Sequence, residues 1–239
     1  MSFKLSVLLP VINEVKLLNE TINTILQQNE QEIYEIIIIT SDLKTSHDSK
    51  RLAQKLANTT DKIKTISQKR KLLGGALQDG FDFSSGTHVM LMASDKETEP
   101  EDVKKFIKKS KENLSSIITG NRWISGGGFR SYSYSKYVFN FFFQKIFSIL
   151  YLTSLSDLTF GYRLFPLEIV KKINWEEVNH AFLFETIIKP IKIGVNVIEI
   201  PCTWSKRSSG ESTFQLSYYL DYFKIGFKTL FKSKNSIIK

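Results

Sequence analysis

Four consecutive isoleucines, Ile36 to Ile39, lie between Glu35 and Thr40 with no polar residue among them. A strand that faces water on one side alternates apolar and polar residues, so an unbroken β-branched run describes a strand buried on both faces. Such a strand requires cover on both sides of its sheet. The neighbouring sequence supplies it. Leu5-Ser-Val-Leu-Leu-Pro10 reads as a second buried strand, and residues 14–28 repeat apolar side chains at Val15, Leu18, Ile22 and Leu26 with helical spacing. Further helices are predicted over 46–58, 74–83 and 101–113, and strands over 64–66, 88–92 and 115–119. This alternation predicts an α/β fold, a mostly parallel sheet flanked by helices.

At 239 residues and 42% hydrophobic content, the chain is long enough for one large domain or a domain with an appendage. The single Cys202 allows no internal disulfide and no zinc spacing, which fits a reducing, cytoplasmic setting. His47, His88 and His180 are too scattered to suggest a metal cluster or a nucleophilic triad. The opening Met-Ser-Phe-Lys leads straight into a strand and lacks the apolar core of a signal peptide, so the protein is expected to stay where it is made. A net charge of +9 favours an anionic partner: nucleic acid, a nucleotide diphosphate or an anionic membrane face. The lysines are dispersed and no nucleic-acid-binding signature is present, which argues against nucleic acid.

The strand over 88–92 runs into Ala93-Ser-Asp95-Lys-Glu97-Thr-Glu-Pro100. Carboxylates delivered at the carboxyl end of a strand sit where open α/β sheets hold ligands. In an extended segment Asp95 and Glu97 would project to the same side and could share one Mg2+ or Mn2+, because a diphosphate and water fill the remaining positions. Glu99, Glu101 and Asp102 read as the acidic first turn of the next helix. Gly126-Gly-Gly128 marks the boundary between a nucleotide half, over 1–120, and an acceptor half, over 121–214, with a basic amphipathic helix over 215–239.

Several segments occur in a specific order: Ser6-Val-Leu-Leu-Pro-Val-Ile-Asn-Glu14, Gly74-Gly-Ala76, the acidic segment at Asp95, Gly120-Asn-Arg-Trp123, Ser156-Asp-Leu-Thr-Phe-Gly-Tyr-Arg163, Phe184-Glu185, and 201–212. Together they resemble a family 2 glycosyltransferase of the GT-A fold, in the dolichyl-phosphate mannosyltransferase and polyprenyl-phosphate glycosyltransferase branch. The resemblance implies a donor site of Pro10, Asn13, Glu14, Asp42, Gly75, Ser94 and Asp95, with Glu14 reading equally as a helix N-terminal cap. It implies metal ligation by Asp95 and Glu97, and acceptor contacts from Arg122, Arg130, Lys136, Arg163 and Glu185, of which Lys136 reads first as solvated charge. The segment 204–212 resembles the loop that closes over the donor diphosphate, with Arg207 and Ser212 as its contacts and Gly210 as its bend. Catalytic roles fall to Asp95, Asp157, Arg122 and Arg207. The chain departs from the family where paired aspartates become Thr40-Ser41-Asp42, and where the first aspartate of the metal motif becomes Ala93.

Residues 137–152 are densely apolar but broken by Asn140, Gln144 and Lys145, so they read as a helix in a membrane interface or packed on the core. Leu216, Tyr219, Leu220, Phe223, Phe227, Leu230 and Phe231 form a second apolar face opposed by Lys224, Lys228 and Lys232. The implied activity is inverting, metal-dependent transfer of a hexose from a nucleotide diphosphate sugar to a polyprenyl-phosphate at the cytosolic face of an anionic membrane. Transfer to a sugar hydroxyl and non-catalytic nucleotide-sugar binding stay open, as does a membrane-protein partner or a homo-oligomer. A nucleotidyltransferase would need a glycine-rich phosphate loop near the amino terminus, where Pro10 to Glu14 stand instead.

Overall fold

In the computed structural model, which describes residues 2–206 and 217–239, the isoleucine run is the middle of a strand paired on both sides. The first half alternates strictly: β1 (Leu5–Pro10), α1 (Lys16–Asn29), β2 (Ile33–Thr40), α2 (His47–Ala57), β3 (Ile63–Ser67), α3 (Leu72–Phe83), β4 (His88–Leu91), α4 (Val103–Glu112) and β5 (Ile117–Asn121). The second half contributes β6 (Gly128–Arg130), α5 (Tyr134–Leu150), β7 (Arg163–Pro166), α6 (Leu167–Lys172), α7 (Phe182–Ile193), β8 (Val197–Pro201), β9 (Thr203–Ser205), α8 (Ser217–Leu230) and α9 (Lys234–Ile237). The main sheet runs β3-β2-β1-β4-β7-β5-β8, and β6 pairs with β9 in a small parallel ribbon.

Only β7 runs antiparallel to its neighbours in the main sheet. It falls at the end of the 156–163 motif, too short at four residues for its period to be legible in sequence. Its insertion between β4 and β5 makes strands from both sides of residue 121 share one sheet.

Alternate residues of the strands feed two cores, as a sheet covered on both faces requires. Val7, Leu9, Ile36 and Ile38 pack with Leu18, Ile22 and Ile25 of α1 and Phe106 of α4. Leu8, Ile37 and Ile39 meet Leu77 and Phe81 of α3 and Phe182 of α7. A third core joins α5, α7 and α8 through Phe143, Phe147, Phe184, Ile187, Tyr222 and Ile225. A Cβ on Gly226 would meet the Phe147 ring at 2.3 Å, so α8 approaches α5 at a distance only glycine allows.

The buried face of α8 centres on Tyr222 and Ile225, whereas Leu220, Phe227 and Phe231 are exposed. The apolar stripe read from sequence is thus divided between core and surface, because the helix offers α7 only a narrow arc of its circumference. Lys228 and Lys232 turn back to Glu176, which also meets the buried Lys189. Burial pushes the Glu176 carboxyl up, but hydrogen bonds from Lys228, Lys232 and Lys189 outweigh it and bring the group down to about 2. A depressed carboxylate stabilises the fold above its unfolded pKa, near 4.3, and loses that contribution as pH falls toward its folded value. Glu176→Gln should therefore flatten the decline in thermal midpoint between pH 5 and pH 2, which melts across that range would read.

Candidate active site

The strand order reverses between β1 and β4, and the crevice beyond their carboxyl ends is where doubly wound sheets bind ligands. Ser94 Oγ donates to the Pro10 carbonyl at 2.8 Å and ties the two strand ends together. A cleft of about 500 Å³ opens there. Pro10, Glu14, Ser94, Asp95, Glu97 and Thr98 line one side, and Arg122, Tyr132, Lys136, Asn140, Thr159 and Tyr162 contribute to its remaining wall.

The acidic loop is turned rather than extended. β4 ends at Leu91, Lys96 adopts φ of 61°, and Asp95 Oδ1 accepts from the Glu97 amide at 3.1 Å. The projection expected of an extended segment therefore does not hold. Both carboxylates still face the cleft, because the left-handed residue sends the intervening lysine away to Glu20, at 2.5 Å. Ala93 donates its amide to Thr98 Oγ1 at 3.1 Å, closing the base of the loop. Asp95 is only 9% exposed. Among the described residues no group of three His, Cys, Asp or Glu side chains converges. A pair of carboxylates suits a hard cation that takes its other ligands from phosphate and water.

Glu14 accepts from the amides of Ile12 and Asn13 at 2.6 and 2.9 Å, so it closes its own loop; Val15 stands at the helix N-cap without a side-chain bond. Across the cleft, Arg122 makes a two-point ion pair with Asp157: Nε to Oδ2 and Nη2 to Oδ1, both at 2.7 Å. Nη2 also donates to Thr159 Oγ1 at 3.0 Å, and the guanidinium lies 4.7 Å from the Phe160 ring centroid and 5.0 Å from that of Phe129. Burial disfavours the charge on Arg122, but Asp157 more than restores it and raises its pKa. Asp157 is fully buried and accepts the Arg122 and Phe160 amides as well, so its oxygens serve the arginine and the turn. Glu199 in turn accepts the amides of Ser156 and Asp157.

Several residues expected at the site lie apart from the cleft wall. Asn13 is exposed on the β1–α1 loop, and Asp42, past β2, accepts from Ser67 Oγ at 2.7 Å. Gly75 packs where a Cβ would meet Arg70 at 2.7 Å, letting α3 approach the preceding turn. Arg130, on β6, pairs with Glu99 at 2.6 Å. Arg163 is fully buried, donating to the carbonyls of Phe160 and Leu183 and to Thr119 and Thr186; burial lowers its pKa to about 10 despite Asp157. Glu185 is buried against Lys189 and accepts the amides of Glu176 and Glu177. Arg207 and Ser212 lie outside the described residues.

The stem before Arg207 is described. Ser205 donates its amide to the Glu97 carbonyl at 3.2 Å, Thr98 bridges Trp204, and Trp204 and Lys206 line the cleft. His180, Tyr132 and Lys206 are wall residues that the sequence reading left out. Only Lys206 carried a signal, as the neighbour of Arg207 in a basic loop; the other two are brought in by long-range packing.

Residues 6–173 match the family Glycosyl transferase family 2. The chain is 26% identical over 234 residues to a dolichol-phosphate mannosyltransferase of Pyrococcus furiosus, covering 92% of this chain and 62% of that protein. It thus spans under two thirds of that relative's length. It is 24% identical over 214 residues to a polyprenol monophosphomannose synthase of Mycolicibacterium smegmatis, covering 86% of this chain and 79% of the relative. Its fold is similar to that of glucosyl-3-phosphoglycerate synthase from Mycobacterium tuberculosis, solved with Mn2+, UDP and phosphoglyceric acid (TM-score 0.71, 15% identity, 96% of this chain and 78% of the other). Another structure of that enzyme holds Mg2+ and UDP. The sheet and its flanking helices are those of the GT-A glycosyltransferases. Because the sequence match takes in β1 through β7, with both the acidic loop and the Arg122–Asp157 pair inside it, the chain belongs to glycosyl transferase family 2.

Proposed function

We propose that the chain transfers a hexose from a nucleotide diphosphate sugar to a polyprenyl phosphate, with inversion, at the cytosolic face of a membrane. The observation that carries this reading is the buried Arg122, charged, pre-oriented by Asp157 and facing the same cleft as Asp95 and Glu97. With Nε and Nη2 committed to Asp157 and Thr159, Arg122 offers an incoming phosphate its Nη1 end and its fixed positive charge. The names of the Pyrococcus and Mycolicibacterium relatives point to the same acceptor class.

In this reading Pro10, Glu14 and Ser94 shape the donor end of the cleft, while Asp95 and Glu97 hold Mg2+ or Mn2+. When bound, the cation offsets charge on the departing diphosphate. Arg122 aligns the acceptor phosphate, and Lys136, exposed on the cleft rim, adds positive charge. A phosphate monoester is largely ionised at neutral pH, so one of its oxygens attacks the anomeric carbon without a general base. The bond to the diphosphate breaks on the opposite side, and the diphosphate leaves with the electron pair. Asp157 orients Arg122 and takes no proton. Arg207, which follows Lys206 in the sequence, brings a further positive charge to the diphosphate. Arg163 and Glu185 serve the fold.

The test is a panel of GDP- and UDP-sugars offered to the purified chain with a short polyprenyl phosphate, with and without manganese. Sugar-phosphoryl-lipid formed with one donor class and abolished by chelator supports the reading. Turnover indifferent to chelator removes the metal from it.

For the membrane, α5 presents Phe142, Ile146 and Ile149 outward, and α8 with its C-terminal extension presents Leu220, Phe227 and Phe231; Lys145 and Lys224 are exposed on the same two helices. No helix among the described residues is long and apolar enough to cross a membrane. Peripheral docking by these faces is expected to retain the protein on anionic vesicles at low salt and release it as ionic strength rises. Co-sedimentation reads this. Retention that only detergent reverses, or none on any vesicle, contradicts it.

A further inference from the structure

Helix α5 is apolar over most of its length, yet its inward face carries Gln144, only 2% exposed. Each polar atom of that side chain is used. Nε2 donates to Asn140 Oδ1 and Thr159 Oγ1, both at 2.7 Å, and more weakly to Asp157 Oδ1 at 3.4 Å; Oε1 accepts the Leu158 amide at 2.8 Å. Gln144 therefore grips three successive residues of the turn that holds Arg122: the Asp157 carboxylate, the Leu158 backbone and the Thr159 hydroxyl. Arg122 bonds two of the same groups from the other side. Asn140, Thr159 and Arg122 line the cleft, whereas Gln144 stands behind them.

We propose that Gln144 is a positioning residue for the acceptor phosphate. It fixes the rotation of the Asp157–Thr159 turn, and through it the direction in which Arg122 points into the cleft. The inference rests on the proposed acceptor role of Arg122. A buried amide in a helix costs free energy unless its bonds are made; here two of the bonds end on Asp157 and Thr159, which Arg122 also bonds, one on the Leu158 amide between them and one on the neighbouring Asn140. The placement also puts the control of Arg122 on the helix whose opposite face carries Phe142, Ile146 and Ile149.

Two variants test this. Gln144→Ala removes all four bonds, and Gln144→Glu keeps the shape but sets a second carboxyl beside Asp157. With polyprenyl phosphate as acceptor, Gln144→Ala is expected to raise the acceptor KM on the order of tenfold or more, since small misplacements of an orienting group are costly. The donor KM should be unchanged. The Nε–H resonance of Arg122, read by nitrogen-15 NMR on the protein without substrates, should shift in the same variant. Gln144→Glu should behave like the alanine variant at pH 8 and recover toward wild type as pH falls, because the introduced carboxyl gains a proton beside Asp157 and regains a donor. Among the described residues the other charged or titratable groups facing this turn are Arg122, Tyr132, Arg163, Glu199 and Tyr222, all present in wild type, so the ratio of variant to wild type isolates the new carboxyl. An unmoved Arg122 resonance, or donor and acceptor KM rising together with a lowered thermal midpoint, overturns the proposal. If wild type does not use polyprenyl phosphate at all, the acceptor reading fails, and the resonance still decides what Gln144 does.

Discussion

Asp95→Asn is expected to lower sugar transfer by roughly 100- to 1,000-fold while leaving the thermal midpoint nearly unchanged. The loss follows from the several kcal/mol that a Lewis-acid cation supplies to a leaving diphosphate, at about 1.4 kcal/mol per tenfold in rate. The fold is spared because the carboxamide oxygen can still accept the Glu97 amide that closes the turn. Glu97→Gln should cost much less, on the order of tenfold, as one of several ligands that phosphate or water can replace. Steady-state rates across a manganese titration distinguish the two, since added metal should partly restore the weaker variant. Equal losses in both, or a midpoint falling in step with activity for Asp95→Asn, would assign these residues to the fold.

The second large effect lies in the Arg122–Asp157 pair. Removing one partner of a buried ion pair leaves the other charge desolvated, at a cost of about 3–5 kcal/mol. For a domain of this size that corresponds to a fall of roughly 6–20 °C in thermal midpoint. Asp157→Asn should show this drop, because the amide cannot match both guanidinium donors and the backbone amides with oxygens. Arg122→Lys should lose less stability than Arg122→Ala and still transfer slowly, since the ammonium keeps the charge without the fork. The pH dependence carries the mechanistic content. If Asp157 orients and does not accept a proton, the residual activity of Asp157→Asn keeps the wild-type pH profile. Loss of an acidic limb in that variant makes Asp157 a general base and returns the acceptor to a hydroxyl.

The sheet was legible because β1 and β2 are buried on both faces and show it as unbroken apolar runs. The strand ends were legible for the same reason: Pro10 stands where the β1 run stops, and Ser94 just past the apolar run of β4. β7 was not, since four residues flanked by a loop motif leave no period to read. Arg122 and Asp157 were both visible as charged residues in ordered motifs. Arg163 and Glu185 looked like ligands for the same reason, and only burial separates them from Arg122: each is enclosed with partners of its own, Arg163 with backbone carbonyls and Glu185 with Lys189. The polar residues of α5 show the deepest gap. Asn140 and Gln144 read as interruptions of an apolar helix, and their spacing of four placed them on one face without saying which loop that face would meet.

The most direct measurement offers one nucleotide sugar to the purified chain alongside a short polyprenyl phosphate and, separately, the matching polyprenyl alcohol and a panel of free saccharides, with products identified by mass. The expected result is a hexosyl phosphodiester from the phosphate lipid alone, lost in Arg122→Ala at temperatures where that variant is still folded. Product from a saccharide hydroxyl with none from the phosphate lipid would contradict the assignment of Arg122 to an acceptor phosphate.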